Sequence, residues 1–120
     1  MNTQPNASSK SRLITLWSLS GLLALAFLAA GGSKLAGVTY IVDLFNKVGL
    51  GQWFRYFTGS LEVVGAIGLL IPRYAFYAAV LLAIVMVGAT IAHITVLGSS
   101  PIAAIVLLVL CGTIAYLRKP

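Results

Sequence analysis

The chain has 120 residues, 60% of them hydrophobic and only 8% charged, with a formal charge of +6 and just two acids, Asp43 and Glu62. A soluble domain of this size could not keep such a composition wetted, so the composition excludes a soluble enzyme and points to a lipid bilayer as the solvent. The eight Lys and Arg residues are scattered rather than massed into a stripe, so nucleic acid is excluded as a partner and the charge is assigned to topology and lipid headgroups.

Residues 1–12 are rich in Asn, Ser and Thr and read as a disordered polar tail preceding a single membrane domain over residues 13–120. The first apolar run, Leu13 to Ala30, is 18 residues long. That exceeds the roughly 7–15 residues of a secretory h-region, and the following Gly-Gly-Ser-Lys lacks an A-x-A site, so it is expected to be retained. Between Leu35 and Gln52 lies the one sizeable loop, in which Val38, Ile41, Val42 and Phe45 recur at helical spacing while Thr39, Asp43, Asn46 and Lys47 face elsewhere. This segment predicts a short amphipathic helix lying in the membrane interface, with Gly49 as its stop. Three further runs, Phe54 to Ile71, Tyr74 to Leu97 and Pro101 to Leu117, are long enough, or nearly so, to cross about 30 Å of hydrocarbon. The expected fold is all-α: an integral membrane bundle of four transmembrane helices with a short interfacial helix between the first and second.

Orientation follows from the basic residues. With both termini inside, Lys10, Arg12, Arg73, Arg118 and Lys119 lie on the cytoplasmic side and Lys34, Lys47 and Arg55 outside, five against three. The expectation is N-in and C-in, in a plasma membrane of the bacterial cytoplasmic type. Trp53, Phe54, Tyr56 and Phe57 at one end of the second span, and Tyr74, Phe76 and Tyr77 beyond its other end, read as interfacial belts.

Within this layout Glu62 is the most informative residue, since an acid at the centre of a span costs about 2.5–3.5 kcal/mol on insertion scales and therefore needs a partner or a task. It lies eight residues into the second span, roughly 12 Å deep. His93 lies four residues before the end of the third, roughly 6 Å deep. Lys34 ends the first span and Arg55 opens the second, so Lys34, Arg55, Glu62 and His93 are the candidate binding-pocket residues, all in the outer half. Gly59, Thr58, Arg55, Gly65 and Ala66 share the face of Glu62, a small and polar surface that lets another helix approach and turns the carboxylate inward. Thr90, Ala89 and Met86 do the same for His93. Glu62 is read either as an ion-pair partner of Lys34 or Arg55, with Lys34 preferred because its stem can snorkel, as a neutral hydrogen-bonding acid, or as a proton-binding carboxylate working with His93.

Other chemistries are set aside by residue count. The single cysteine, Cys111, permits neither an internal disulfide nor a thiol relay and reads as a small buried hydrophobe. His93 and Met86 sit on one helix and cannot grip opposite faces of a haem. One His with one Glu falls short of a closed metal site, and no phosphate-binding loop is present. The chain alone is expected to hold no metal and no cofactor.

Gly31-Gly32-Ser33-Lys34-Leu35 after the first span, Gly49 before an aromatic turn, Thr58-Gly59-Ser60-Leu61-Glu62 in the second span and Ala89 to His93 in the third together resemble the DoxX and DoxX-like membrane proteins, over about Leu13 to Leu117. One departure is Gly51-Gln52, where that family often has a proline. The resemblance implies a four-helix membrane bundle and, from members associated with a thiosulfate:quinone oxidoreductase or other redox assemblies, a small non-catalytic subunit that assists a redox partner protein and helps handle a quinone. The residues leave two alternatives open. One is a proton-coupled carrier of a small solute, for which four short helices would have to form a homo-oligomer. The other is a structural or cargo-handling membrane protein whose buried charges fix helix register.

Overall fold

The computed structural model describes residues 7–120, and every described regular element is helical: α1 (Ala7–Ala36), α2 (Thr39–Val48), α3 (Gln52–Leu69), α4 (Ala75–Ala92) and α5 (Ile102–Arg118). A π-helical turn, His93–Leu97, continues α4 to the loop before α5. Part of the segment expected as a polar tail over residues 1–12 is helical. Residues 7–12 belong to α1, because no Gly or Pro lies between Ala7 and Leu13 to stop a helix already nucleated by the apolar run; residues 1–6 lie outside the described residues.

The four long helices stand side by side in a ring, α1 on α3, α3 on α4, α4 on α5 and α5 back on α1, in a molecule 60 × 24 × 20 Å across. Its interior is built of small residues, Ala24, Ala66, Ala75, Ala79 and Ala104, around Leu23, Phe27, Leu69, Leu82, Met86 and Ile114. Large apolar side chains are instead turned outward along every wall: Leu22 and Leu25 on α1, Val64 and Ile67 on α3, Ile84 and Ile91 on α4, Ile102 and Val109 on α5. An apolar exterior around a small-residue interior is unstable in water and is what helices packed in lipid require. By length and composition two stretches, Lys10–Ala36 and Ala75–Leu97, are able to cross a membrane, and α5 is a shorter apolar helix. Helix α3, which carries Glu62 and Arg55, is not among those stretches.

The ends of the elements have local causes. Helix α1 closes in a Schellman arrangement, with Gly37 at φ 73°, its N–H donating to Lys34 O (3.3 Å) and the Val38 N–H donating to Ser33 O (3.3 Å). The segment expected to be an amphipathic helix with a stop at Gly49 is α2; Gly49 is left-handed at φ 81° and donates to Phe45 O at 3.2 Å. Helix α2 rests against α3, the π turn and the end of α1, at the end of the bundle that also carries Lys34, Arg55 and His93.

Two glycine contacts set the spacing of the helices. A Cβ on Gly31 would lie 2.8 Å from the Gly59 carbonyl oxygen, and one on Gly59 would lie 2.9 Å from Lys34 Cβ and 3.0 Å from Gly31 O. The α1 and α3 backbones thus touch where no side chain fits, one turn before Lys34 and one turn before Glu62. At the opposite end α3 meets α4 in the same way, with the Gly65 Cβ position 2.6 Å from the Leu82 side chain and that of Gly68 2.8 Å from Ala78 Cβ.

Candidate functional site

The Gly31–Gly59 crossing determines what Glu62 meets. With α1 drawn onto α3 at that point, Lys34 projects over the next turn of α3 and its Nζ comes 2.7 Å from Glu62 Oε1. Glu62 is 1% exposed and Lys34 17% exposed, so the acid is fully enclosed while the ammonium keeps a route toward the helix end. The contact is an ion pair, and among the described residues Oε1 has no further hydrogen-bond partner. A carboxylate so placed keeps acceptor capacity for a further donor.

Arg55, the other basic residue proposed as a partner for Glu62, is used differently. It is buried, donates from Nε to Gln52 Oε1 (2.7 Å) and from Nη1 to the backbone carbonyl of Lys34, and lies 4.2 Å over the Tyr56 ring. Gln52 in turn donates from Nε2 to Val42 O (3.2 Å) and to Asn46 Oδ1 (2.8 Å) on α2. Arg55 therefore caps the C-terminus of α1, where free carbonyls and the helix dipole favour a cation, and through Gln52 ties α2 to both neighbours. It sits two helical turns from Glu62 and serves the scaffold beside the site.

Lys34, Glu62 and His93 all line one partly open cavity of about 530 Å³ between the end of α1, α2, α3, α4 and the π turn. Its walls are Ile41, Leu44 and Phe45 from α2, Phe54, Phe57 and Leu61 from α3, and Val85, Met86 and Ala89 from α4, with Thr58 adding a hydroxyl. Phe45 meets Phe54 at 5.9 Å, and Phe54 stacks on Phe57 at 6.4 Å, so one wall is a continuous aromatic surface. A mainly apolar cavity of this size with a few convergent polar groups has the general form of a small-molecule site.

His93 enters this cavity as the first residue of the π turn, half-buried, and its Nδ1 shares a 2.7 Å hydrogen bond with Ser99 Oγ in the loop before α5. Of the pairings weighed for Glu62, the described residues form the preferred one, with Lys34, while His93 pairs with Ser99. Because Nδ1 is engaged by Ser99, Nε2 is the ring nitrogen left for a ligand. The His93 carbonyl also accepts from the Ser99 N–H (3.2 Å) and the Gly98 N–H, so the wide turn and its closing loop hold the ring on two sides. Sequence reasoning did not find Ser99, the Gln52–Asn46 link or the π turn. The aromatic residues of the wall were visible, but as an interfacial belt.

Among the described residues no group of three or more His, Cys, Asp or Glu lies close enough to hold a metal ion. Cys111 is buried on α5, in the core beside the cavity, and does not line it.

A model of the DoxX-like family matches residues 18–116, which include every residue of the cavity and of the Arg55 cap. Comparison with curated proteins and with solved structures returned no match.

Proposed function

The chain belongs to the DoxX-like family, and from that premise we propose that it is a small integral membrane subunit that holds the polar headgroup of a lipid-soluble molecule, of the quinone type, for a redox partner protein that carries out the electron chemistry. In this reading α1, α3, α4 and α5 all cross the bilayer, α2 lies in the outer interface, and both termini face the cytoplasm of a bacterial-type plasma membrane. The five-to-three distribution of basic residues and the apolar outer walls support that placement.

The observation that carries the proposal is the cavity itself: an apolar, aromatic-walled space whose polar groups are a buried ion pair and a histidine held in one orientation. A headgroup carbonyl is an acceptor; Lys34 Nζ is a donor to it, and His93 Nε2 is a second donor in the tautomer whose Nδ1 accepts from the Ser99 hydroxyl. Glu62 holds the ammonium in place and keeps the site near neutral, which suits an uncharged headgroup better than an anion. With a single cysteine and no self-sufficient redox group in its sequence, the chain requires a partner for any electron transfer.

The test is affinity purification from native membranes, identification of partner proteins and extracted quinones, and the activity of the recovered complex with Glu62→Ala or His93→Ala. Both variants are expected to insert, to retain the partner and to lower bound quinone and activity. If both are folded and leave quinone content, partner association and activity unchanged, the cavity is a packing feature. The structural reading then replaces this one, supported by the Gly31–Gly59 crossing and the ion pair as register-fixing contacts.

A further inference from the structure

The cavity is not closed on all sides, and the residues at its opening locate the entrance. Helices α3 and α4 are in close contact through Gly65–Leu82 and Gly68–Ala78 at one end. Toward α2 the space between them becomes the cavity, and there Phe57 of α3 is 51% exposed and Ile84 of α4 is 64% exposed although both line it. Gly88, one turn beyond Ile84, is also exposed and also lines the cavity. Residues that face the interior space and the outer surface at once mark a mouth between α3 and α4, below α2.

The depth of that mouth identifies the phase it opens into. Ile84 and Gly88 follow the start of α4 at Ala75 by nine and thirteen residues, about 14 and 20 Å along a helix rising 1.5 Å per residue. In a bilayer whose hydrocarbon is about 30 Å thick this is mid-membrane, with no water to enter from. We infer that the cavity is loaded sideways from the bilayer through a portal framed by Phe57, Ile84 and Gly88, so that its ligand is a membrane-dissolved amphiphile whose head reaches Lys34 while its tail remains in lipid. The inference rests on the ligand-binding reading above and adds the route and the substrate class. A volume of about 530 Å³ holds a ring-sized headgroup and the first carbons of a chain, so a longer tail has to leave through the opening. Gly88 is the position where a side chain would stand in that opening, since a Cβ placed there meets nothing within 4 Å.

That free space also makes the test clean, because a large residue at Gly88 can obstruct the mouth without disturbing a packed neighbour. The protein is reconstituted in liposomes in a Trp17→Phe background, and the rate of decylubiquinone capture is followed by quenching of Trp53 fluorescence, in the parent chain (taken as wild type), Gly88→Phe, Gly112→Phe and Lys34→Met. Gly112 on α5 is likewise free of neighbours and is not part of the cavity, which makes it the control. Capture is expected to be about tenfold slower or worse in Gly88→Phe and unchanged in Gly112→Phe. Capture at the wild-type rate in Gly88→Phe, with binding lost in Lys34→Met, overturns the portal and leaves the binding site standing. No capture by wild type overturns the binding reading and the portal with it.

A ligand-independent measurement separates these cases further. In a Cys111→Ala background, Gly88→Cys carrying a nitroxide attached in detergent before reconstitution should be relaxed by lipid-dissolved oxygen and shielded from a water-soluble nickel chelate. Strong relaxation by the nickel chelate would make the mouth aqueous and overturn the inference.

Discussion

Removing either member of the Lys34–Glu62 pair should have unequal consequences, and removing both should cost less than the two separate losses imply. At 2.7 Å the raw attraction is about 6 kcal/mol for an effective dielectric of about 20. Desolvation of the two ions offsets much of that, so the net value of the pair is small while the loss of one partner is expensive. Lys34→Met leaves a carboxylate that is 1% exposed and has no other partner among the described residues. It should destabilise the protein by about 4 kcal/mol, within the range for breaking a buried pair. Glu62→Gln leaves an ammonium that is already 17% exposed at a helix end, and its stem can carry the charge toward the interface, so the cost should be nearer 2 kcal/mol. The double variant retains the shape of both side chains and strands no charge. Its cost should fall well below the combined single losses, with a coupling of about 3 kcal/mol. Unfolding in mixed micelles, by titration with a denaturing detergent and detection by circular dichroism, measures all four corners of the cycle at neutral pH. A coupling below about 0.5 kcal/mol, the level of exposed pairs, would refute the claim that the pair is buried and mutually dependent.

Three further outcomes follow from named contacts. Gly31→Ala should cost about 1–3 kcal/mol by forcing a methyl group against the Gly59 carbonyl, whereas Gly32→Ala, where a Cβ meets nothing within 4 Å, should be neutral or stabilising in the same unfolding assay; equal effects would remove the crossing as the determinant of spacing. Arg55→Met should lose about 1–3 kcal/mol through an uncapped α1 carbonyl and an orphaned Gln52, and hydrogen exchange should rise in α2 before the rest of the bundle; unchanged exchange in α2 would contradict the link. In a Cys111→Ala background, an impermeant thiol reagent applied outside should label Ser99→Cys and spare Ser8→Cys, and the reverse pattern would place the cavity in the inner half of the membrane.

What was legible in the sequence was whatever depth and helical period decide. Lys34 lies in the last turn of α1, at the membrane face below which Glu62 lies roughly 12 Å, and its long stem can reach down part of that gap, so their meeting could be expected once Gly59 marked the close-packing side of α3. The amphipathic period and Gly49 located α2 for the same local reason. Arg55 was ambiguous because its position fits both a salt bridge and a helix cap. The choice was made by the Schellman turn at Gly37, which presents the Lys34 carbonyl to the guanidinium, and a three-dimensional coincidence of this kind leaves no periodic trace. The same is true of His93: its polar face on α4 was readable, but a turn with i to i+5 bonding rotates the ring toward Ser99, and nothing in the local composition announces a π turn. The mouth between α3 and α4 was hidden for a related reason. Gly88 is one small residue among many in an apolar run, and its role depends on where Phe57 and Ile84 stand relative to it.

The central claim is that the Lys34–Glu62 end of this cavity holds the headgroup of a membrane-dissolved molecule. Its most direct measurement is native mass spectrometry of the protein released from mild detergent, comparing wild type with the doubly neutral Lys34→Met/Glu62→Gln variant, first checked to be folded by circular dichroism. The account predicts a discrete adduct of an amphiphile on wild type, displaced by added decylubiquinone and absent from the variant. The same adduct at the same occupancy on both proteins would contradict it.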